Sequence, residues 1–166
     1  SISSLLRGYY DVAVDDFYCA ILPTATQYAR NAVFAGLMPL SIDRLMPNKW
    51  LNDNEDGGKN QYEEEFLKRL MTQNGKSWRF SFDKLVRPEQ GRRLVDNIQK
   101  VYDADFSVIV YNFLDILSHA RTETDVIREL TEDEAAFRSL TRSWFEHSDL
   151  YTILKLLAER GHTVVI

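Results

Sequence analysis

The hexapeptide Phe106–Tyr111, FSVIVY, constrains the fold of this chain more than any other segment. A strand with one face in solvent alternates apolar and polar residues, whereas this run is almost continuously apolar. Such a run is typical of a strand that is covered on both faces of a parallel sheet. Parallel strands need long crossover connections, which are usually helical. The segment therefore predicts a parallel sheet with helices on its faces.

Further strands and helices are predicted around this segment. Aromatic and β-branched runs predict strands at Asp16–Leu22, Trp78–Leu85 and Thr163–Ile166, of which Trp78–Leu85 is expected to be half-exposed at an edge. Helical spacing and capping signals predict a short helix near residues 4–8, a turn at Asp115–Ala120, and helices at Gln27–Leu37, Tyr62–Met71, Arg92–Tyr102, Val126–Trp144 and Leu150–Arg160. The alternation indicates an α/β fold with a mostly parallel sheet.

Length and charge limit the functions that such a fold could carry. The chain has 166 residues, of which 45% are hydrophobic, and this predicts a single globular domain over 1–166 with an insert at about 40–90. Twenty basic and 25 acidic side chains leave a formal net charge of −5. A surface built to coat nucleic acid would be basic. Any nucleotide chemistry must therefore be local.

The cysteine content and the hydropathy of the chain predict a cytoplasmic protein. Cys19 is the only cysteine, which excludes an internal disulfide and a cysteine-cluster zinc site. The first residues lack the basic and uninterrupted apolar regions of a secretory signal, and no apolar run approaches the ~20 residues of a membrane helix. No membrane partner is expected.

The first candidate site is Thr26, within PTATQYARNAVFAG at 23–36. The predicted elements place it after a strand and at the beginning of a helix, where the helix dipole and free N–H groups stabilise anions. A hydroxyl at this point could act as a nucleophile toward phosphate, although no general base lies near it in the sequence. The alternative is that Thr24 or Thr26 simply caps the helix.

The second candidate site is the pair Asp115 and His119, four residues apart just beyond FSVIVY. On a helical turn this spacing lets a carboxylate and an imidazole bind one ion, and both are zinc ligands. The alternative is a capping aspartate and a surface histidine. We expect His147 to be a cap or surface residue, leave His162 out of the site, and interpret the acidic run 131–134 as a solvated helix face.

Several motifs of other catalytic classes are absent. QNGKS at 73–77 resembles the end of a phosphate-binding loop, but Leu70 stands where the first glycine of that motif is required. No GxSxG, HExxH, GxGxxG or CxxC occurs. This excludes the α/β-hydrolase, zincin, dinucleotide-binding and redox classes that those motifs mark.

Four longer phrases, ILPTATQYARNAVFAGLMP, LNDNEDGGKN, YNFLDILSHARTE and DEAAFRSLTRSWFEHS, resemble the PglZ domain of the alkaline phosphatase superfamily, in particular PglZ effector domains of two-component response regulators. The resemblance implies a zinc-dependent phosphoesterase that acts on phosphodiesters through a phosphothreonine. It implies Thr26 as nucleophile and ligand of one zinc, and Asp115 and His119 as ligands of the other. It also implies a sensor histidine kinase as partner, through a receiver domain.

The chain departs from that family pattern in its ligand set. The superfamily also uses an aspartate from its opening strand, an Asp-His pair after a strand like TVVI, and a later histidine, and none of these is present. We therefore expect an alkaline-phosphatase-like core truncated at both ends, which as this excerpt binds little zinc and does not hydrolyse esters. Arg30, Asn31, Asn52 and Asn54 could meet phosphate oxygens of a substrate such as a nucleotide or oligonucleotide, or could support turns.

A second functional class stays open at this point. Charged helices at Tyr62–Met71 and Val126–Trp144, together with the incomplete ligand set, are compatible with a non-catalytic signalling or dimerisation module on the same fold. A homodimer is possible in either class.

Overall fold

A computed structural model describes residues 2–51 and 60–166 of the chain. The predicted Asn52 and Asn54 lie outside the described residues. In chain order the elements are α1 (Ile2–Leu6), α2 (Thr26–Ala35), α3 (Pro39–Leu45), a 3₁₀ turn (Pro47–Lys49), α4 (Glu63–Gln73), β1 (Phe80–Leu85), α5 (Pro88–Asp96), α6 (Gln99–Tyr102), β2 (Phe106–Tyr111), α7 (Phe113–Glu123), α8 (Asp125–Leu130), α9 (Glu134–Glu146) and α10 (Asp149–Glu159).

The chain divides into two compact units. The sheet unit comprises the chain up to Val14 together with Arg79–Ile166, and the helical unit lies within Asp15–Trp78. Each unit has its own buried cluster, so each is described separately. The sequence-based prediction of one domain with an insert at about 40–90 stays a prediction.

The sheet unit is built on two parallel strands, which confirms the predicted α/β class. β1 pairs with β2 in a register that sets Phe80 opposite Phe106 and Leu85 opposite Tyr111. The bounds of β2 are those predicted from FSVIVY. Its residues are half-buried, and Phe106 is exposed, so the prediction that both faces are covered is wrong for the described residues. Ile109 and Tyr111 pack into the core from one face, while Val108 and Val110 on the other face join no buried cluster.

An ion pair joins Arg79, just before β1, to Asp105, just before β2. The Arg79 Nη2 atom lies 3.1 Å from Oδ1 of Asp105, and the Arg79 backbone N–H donates to Oδ2 of the same carboxylate at 2.9 Å. The Asp105 N–H returns a bond to the Arg79 carbonyl at 2.7 Å. These contacts align the beginnings of β1 and β2 and favour the observed register.

We expect Asp105→Asn to lower stability most near neutral pH. Hydrogen bonds from the Arg79 side chain and backbone lower the pKa of the Asp105 carboxyl. A carboxyl with a lower pKa in the folded state contributes stability above its unfolded pKa of about 3.9 and loses it as pH falls through the folded pKa. The difference in Tm between wild type and variant, measured from pH 7 to pH 2, should therefore shrink toward acid. A difference that grows toward acid would contradict this.

The core of the sheet unit consists of two clusters that share α10. One contains Leu154 of α10 with Leu6, Phe113, Leu117 and Phe145, and the other contains Ile153 and Leu157 of α10 with Leu85, Leu94 and Val101. Ser148 caps α10, because its hydroxyl accepts the Tyr151 N–H at 3.2 Å. The predicted helix is thus confirmed, with Ser148 as its cap. Burial of the apolar stripe of α10 stabilises both halves of this unit.

The helical unit is built on the packing of α2 against α4. Its buried cluster is Ala35, Ile42 and Phe66. Gly36 ends α2 in the left-handed conformation, with φ of 61°. A Cβ at Gly36 would lie 2.7 Å from Leu70 Cδ1 on α4, so this position also permits close helix approach.

The two left-handed glycines of the helical unit offer a matched pair of substitutions. Gly75, in the turn after α4, has φ of 67°, and a Cβ built on it would have nothing within 4 Å. Gly75→Ala should therefore cost only the backbone term, about 1–2 kcal/mol, whereas Gly36→Ala should cost more because Leu70 must move. Urea denaturation of the full chain measures both. Equal losses would show that the Leu70 contact does not contribute.

Two predicted strands do not form. Residues 11–25 and 162–166 are neither helix nor strand, and Phe17, Leu22 and Val165 are 98%, 85% and 94% exposed. Strand propensity is expressed only when a neighbouring strand accepts the backbone hydrogen bonds. No described strand pairs with either segment. The predictions of strands at Asp16–Leu22 and Thr163–Ile166 are therefore wrong.

The predicted long helix Val126–Trp144 is interrupted. It forms as α8 and α9, separated at Thr131, whose buried hydroxyl donates to the Ile127 carbonyl at 2.6 Å. Asp133 then caps α9 by accepting the Ala136 N–H at 2.7 Å. Part of the acidic run 131–134 is thus a helix start and not a continuous helix face, as the capping preference of Asp explains.

The remaining helices are confirmed with shifted bounds. The predicted Arg92–Tyr102 helix forms as α5 and α6, and the predicted turn at Asp115–Ala120 is the longer α7. The predicted surface helix Tyr62–Met71 is α4, but it also buries Phe66 and Glu63. No helix in the described part of the chain is long and apolar enough to cross a membrane.

Candidate active site

Thr26 is the first residue of α2 and is exposed. The predicted helix start is confirmed, but the strand that was predicted to precede it is absent. The residue at the cap position is Ala25, and among the described residues no side-chain hydrogen bond caps the helix. The alternative in which Thr24 or Thr26 caps the helix is therefore wrong. Because Thr26 stands at the beginning of α2, its hydroxyl lies in the positive potential of the helix N-terminus.

The next turn of α2 carries the predicted Arg30. Its Nε and Nη2 atoms lie 2.7 and 2.9 Å from the two carboxylate oxygens of Glu63, the first residue of α4. The Glu63 side chain is fully buried, whereas that of Arg30 is 28% exposed. A bidentate pair of this kind joins two helices with fixed geometry. The role of Arg30 at a substrate stays a prediction, and the structure adds this helix-joining contact to it.

Asn31 lies beside this pair but is buried. Its Nδ2 atom donates to the Gln27 carbonyl at 2.9 Å, and its Oδ1 atom is buried without a hydrogen-bond partner. Gln27 in turn donates to the Leu51 carbonyl at 3.0 Å. These bonds belong to the interior of the helical unit. A role of Asn31 toward phosphate stays a prediction, and its NH₂ group is the donor that such a role would use.

Arg30→Met should destabilise the protein strongly. Removing Arg30 leaves the Glu63 carboxylate buried without its bidentate partner, and breaking a buried pair in this way typically costs about 3–5 kcal/mol. The matched control is Lys49→Met, since Lys49 pairs with Glu65 on the same helix but both side chains are largely exposed. An exposed pair is worth at most about 1 kcal/mol. Similar losses of unfolding free energy in urea for the two variants would refute this difference.

Asp115 and His119 lie together on α7 in the sheet unit. The His119 Nε2 atom is 3.6 Å from Asp115 Oδ1, and the His119 Nδ1 atom is 3.7 Å from Glu123 Oε1. Asp115 is in the first turn and Asn112 occupies the cap position, so the alternative of a capping aspartate is wrong. The alternative of a surface histidine agrees with the structure, because both side chains are 66% exposed.

The chemistry of this pair fits part of a zinc site. Ligand bonds of about 2.0–2.1 Å in a tetrahedron set neighbouring ligand atoms roughly 3.3 Å apart, which is near the observed separation of Nε2 and Oδ1. Zinc normally takes four ligands. Within the described ranges, no group of three or more His, Cys, Asp or Glu residues has metal-binding geometry. Asp115 and His119 would therefore hold a zinc ion only together with further ligands.

The other two histidines have structural contacts. His147 caps the C-terminus of α9, where its Nδ1 atom lies 2.7 Å from the Ser143 carbonyl, as the predicted cap role requires. His162 stacks on Tyr102 with ring centroids 5.6 Å apart. Neither contact involves Asp115 or His119.

Sequence reasoning missed a cavity at the carboxyl ends of the two strands. It has a volume of 850 Å³, and we call it the strand-end cavity. Its wall includes Tyr111, whose pKa is raised, mainly by burial and also by the nearby Asp149 carboxylate, while a hydrogen bond with Ser148 opposes that rise. The cavity lining comes from the ends of β1 and β2, the beginnings of α5, α7 and α10, and the end of α9. The only signal in the sequence was the rule that parallel sheets bind ligands at this edge.

Comparison with protein families matches residues 2–166 to the BREX system PglZ alkaline phosphatase-like domain. The chain belongs to the PglZ family. The match spans the described parts of both units, and it confirms the resemblance identified from the four sequence phrases. None of the curated proteins compared with the chain matches it significantly.

Membership of this family assigns an alkaline-phosphatase-like α/β fold to the chain. The parallel pair β1 and β2, with helices following both strands, agrees with that class of fold. The family description also indicates a phosphoesterase type of domain. The predicted site residues are Thr26 in the helical unit and Asp115 with His119 in the sheet unit, and their roles stay predictions.

Proposed function

We propose that this PglZ domain hydrolyses phosphate esters, most readily phosphodiesters, through a phosphothreonine formed on Thr26. The observation that carries the proposal is the family match over residues 2–166. The exposed position of Thr26 at the beginning of α2 supports it, because the positive end of a helix favours the charge of a phosphoryl group. The proposal assigns the attack on phosphorus to Thr26 and the holding of one zinc ion to Asp115 and His119.

The reaction has two displacement steps. In the first, the Thr26 oxygen forms a bond to phosphorus as the bond to the ester oxygen breaks, and the departing oxygen receives a proton. In the second, a water oxygen forms the new bond to phosphorus and the Thr26 hydroxyl is released. Asp115 and His119 would hold one of two zinc ions. When bound, zinc lowers the pKa of an attacking hydroxyl and neutralises charge on the phosphoryl oxygens.

The cellular context is part of the same proposal. The similarity of the four phrases to the effector domain of the response regulator PorX suggests a cytoplasmic output domain, coupled through a receiver domain to a sensor histidine kinase. Arg30, Asn31, Asn52 and Asn54 would contact the substrate, which could be a nucleotide or an oligonucleotide. A homodimer is compatible with this arrangement.

Thr26→Ala should abolish turnover of bis(p-nitrophenyl) phosphate by the protein loaded with zinc. Loss of a nucleophile is expected to lower kcat roughly a thousandfold or more. The zinc content, measured by atomic absorption, should stay nearly unchanged, whereas Asp115→Asn and His119→Ala should lower it. The control is Thr72→Ala, which removes an exposed hydroxyl that bonds only to the Lys68 carbonyl of its own helix.

The result decides between the two functional classes. Turnover retained by Thr26→Ala would remove Thr26 as nucleophile. Absence of turnover in the wild-type protein loaded with zinc would favour a non-catalytic signalling or dimerisation module on the same fold.

A further inference from the structure

Glu123, the last residue of α7, lies in line with Asp115 and His119. The three residues are spaced at intervals of four, and residues four apart lie on the same face of an α-helix, one turn after the other. The His119 ring lies between the two carboxylates. Its Nε2 atom is 3.6 Å from Asp115 Oδ1, and its Nδ1 atom is 3.7 Å from Glu123 Oε1. Each ring nitrogen therefore has a carboxylate neighbour of its own.

The Glu123 carboxylate is available to the histidine. Among the described residues, His119 is its one ion-pair partner. The nearest basic side chains in the sequence are engaged elsewhere, since Arg121 lies 4.9 Å from the centroid of an aromatic ring of α9 and Arg128 pairs with Asp125 at 2.9 Å. The Glu123 side chain is 70% exposed, so a rotation of that side chain can bring its carboxylate within hydrogen-bond distance of Nδ1.

The place of Glu123 in α7 does not suggest a structural role. The C-terminus of a helix carries partial negative charge, so a carboxylate in the last turn is less favourable than a neutral or basic side chain. The cap at this end is made by the backbone, because the Thr124 N–H donates to the Ala120 carbonyl at 3.0 Å. Neither the cap nor the helix dipole explains a carboxylate at this position.

The chemistry of imidazole gives this carboxylate a role toward a metal ion. A neutral histidine ring carries one N–H, and only the other nitrogen has a lone pair for a metal. Asp115 alone would favour the proton on Nε2, where its carboxylate could accept it. A carboxylate at Nδ1 favours the proton on that nitrogen, which leaves Nε2 free to bind and also fixes the direction of the ring.

We propose that Glu123 is a positioning residue for His119. Its carboxylate accepts the Nδ1–H and so keeps Nε2, without a proton, on the side of Asp115. This role rests on the proposed function, in which Asp115 and His119 hold one zinc ion. Glu123 faces the other ring nitrogen, so it acts through the histidine and is not itself a ligand.

Zinc titration of the full chain, followed through the NMR signals of the two His119 ring nitrogens, tests this role. The signals are assigned by their loss in His119→Ala, so zinc bound elsewhere in the chain does not interfere. Zinc should move the Nε2 signal to that of a metal-bound nitrogen, while Nδ1 keeps its proton. Glu123→Ala should weaken zinc binding at His119 about tenfold, as removal of a carboxylate behind a metal-binding histidine typically does.

Two further substitutions provide a conservative variant and a control. Glu123→Gln keeps an oxygen that can accept the Nδ1–H, so it should recover part of the affinity lost in Glu123→Ala. It should also leave the Tm of the metal-free protein unchanged or slightly higher, because it removes a carboxylate from the negative end of a helix. The control is Glu129→Gln, which removes the same charge from an exposed side chain of α8 and should change zinc affinity less than about twofold.

The role of Glu123 is refuted if Glu123→Ala binds zinc like Glu129→Gln, or if zinc binds through Nδ1. It is also refuted if Glu123→Gln weakens binding as much as Asp115→Asn, because Glu123 would then be a ligand. In these cases Asp115→Asn and His119→Ala still lower zinc binding, and the proposed function is retained. If zinc leaves the His119 ring signals of the wild type unchanged, the zinc site of the proposed function fails, and the role of Glu123 fails with it.

Discussion

The parallel pairing of β1 with β2 is the constraint on which the rest of the sheet unit depends. Parallel strands run in the same direction, so the chain must cross back between them, and it does so through α5 and α6. Both carboxyl ends consequently lie at one edge. The helices that follow the strands, α5 and α7, begin at that edge with their positive ends. The cavity and the Asp115–His119 pair on α7 follow from this geometry.

Some charged side chains of this protein form pairs that stabilise the fold, and others are exposed ligand-type side chains. Glu63 is fully buried and is held by Arg30, and this pair joins α2 to α4. Arg79 and Asp105 are exposed and align two strands. Asp115 and His119 are exposed and contact each other within α7, so this pair joins neither two helices nor two strands. Side chains that pack or pair in the interior stabilise the fold, whereas exposed ligand-type side chains are available for chemistry.

Family membership and the local environment of Thr26 support the same type of chemistry. The proposed hydrolysis uses a hydroxyl nucleophile in a field that accepts phosphate. Thr26 has an exposed hydroxyl at the beginning of a ten-residue helix. The absence of a nearby general base in the sequence is compatible with a metal-assisted mechanism, because a metal ion can activate a hydroxyl without one.

Features that depend on neighbours in the sequence were determined by the sequence itself. These include β2 from its continuous apolar run, the end of α2 at Gly36, and the start of α10 at Ser148, since caps and turns use nearby backbone groups. Other features were decided only by tertiary structure. Asp16–Leu22 does not form a strand, because a strand needs a partner that local propensity cannot supply. The Arg30–Glu63 pair and the strand-end cavity join residues distant in sequence, and side-chain periodicity carries no information on such contacts.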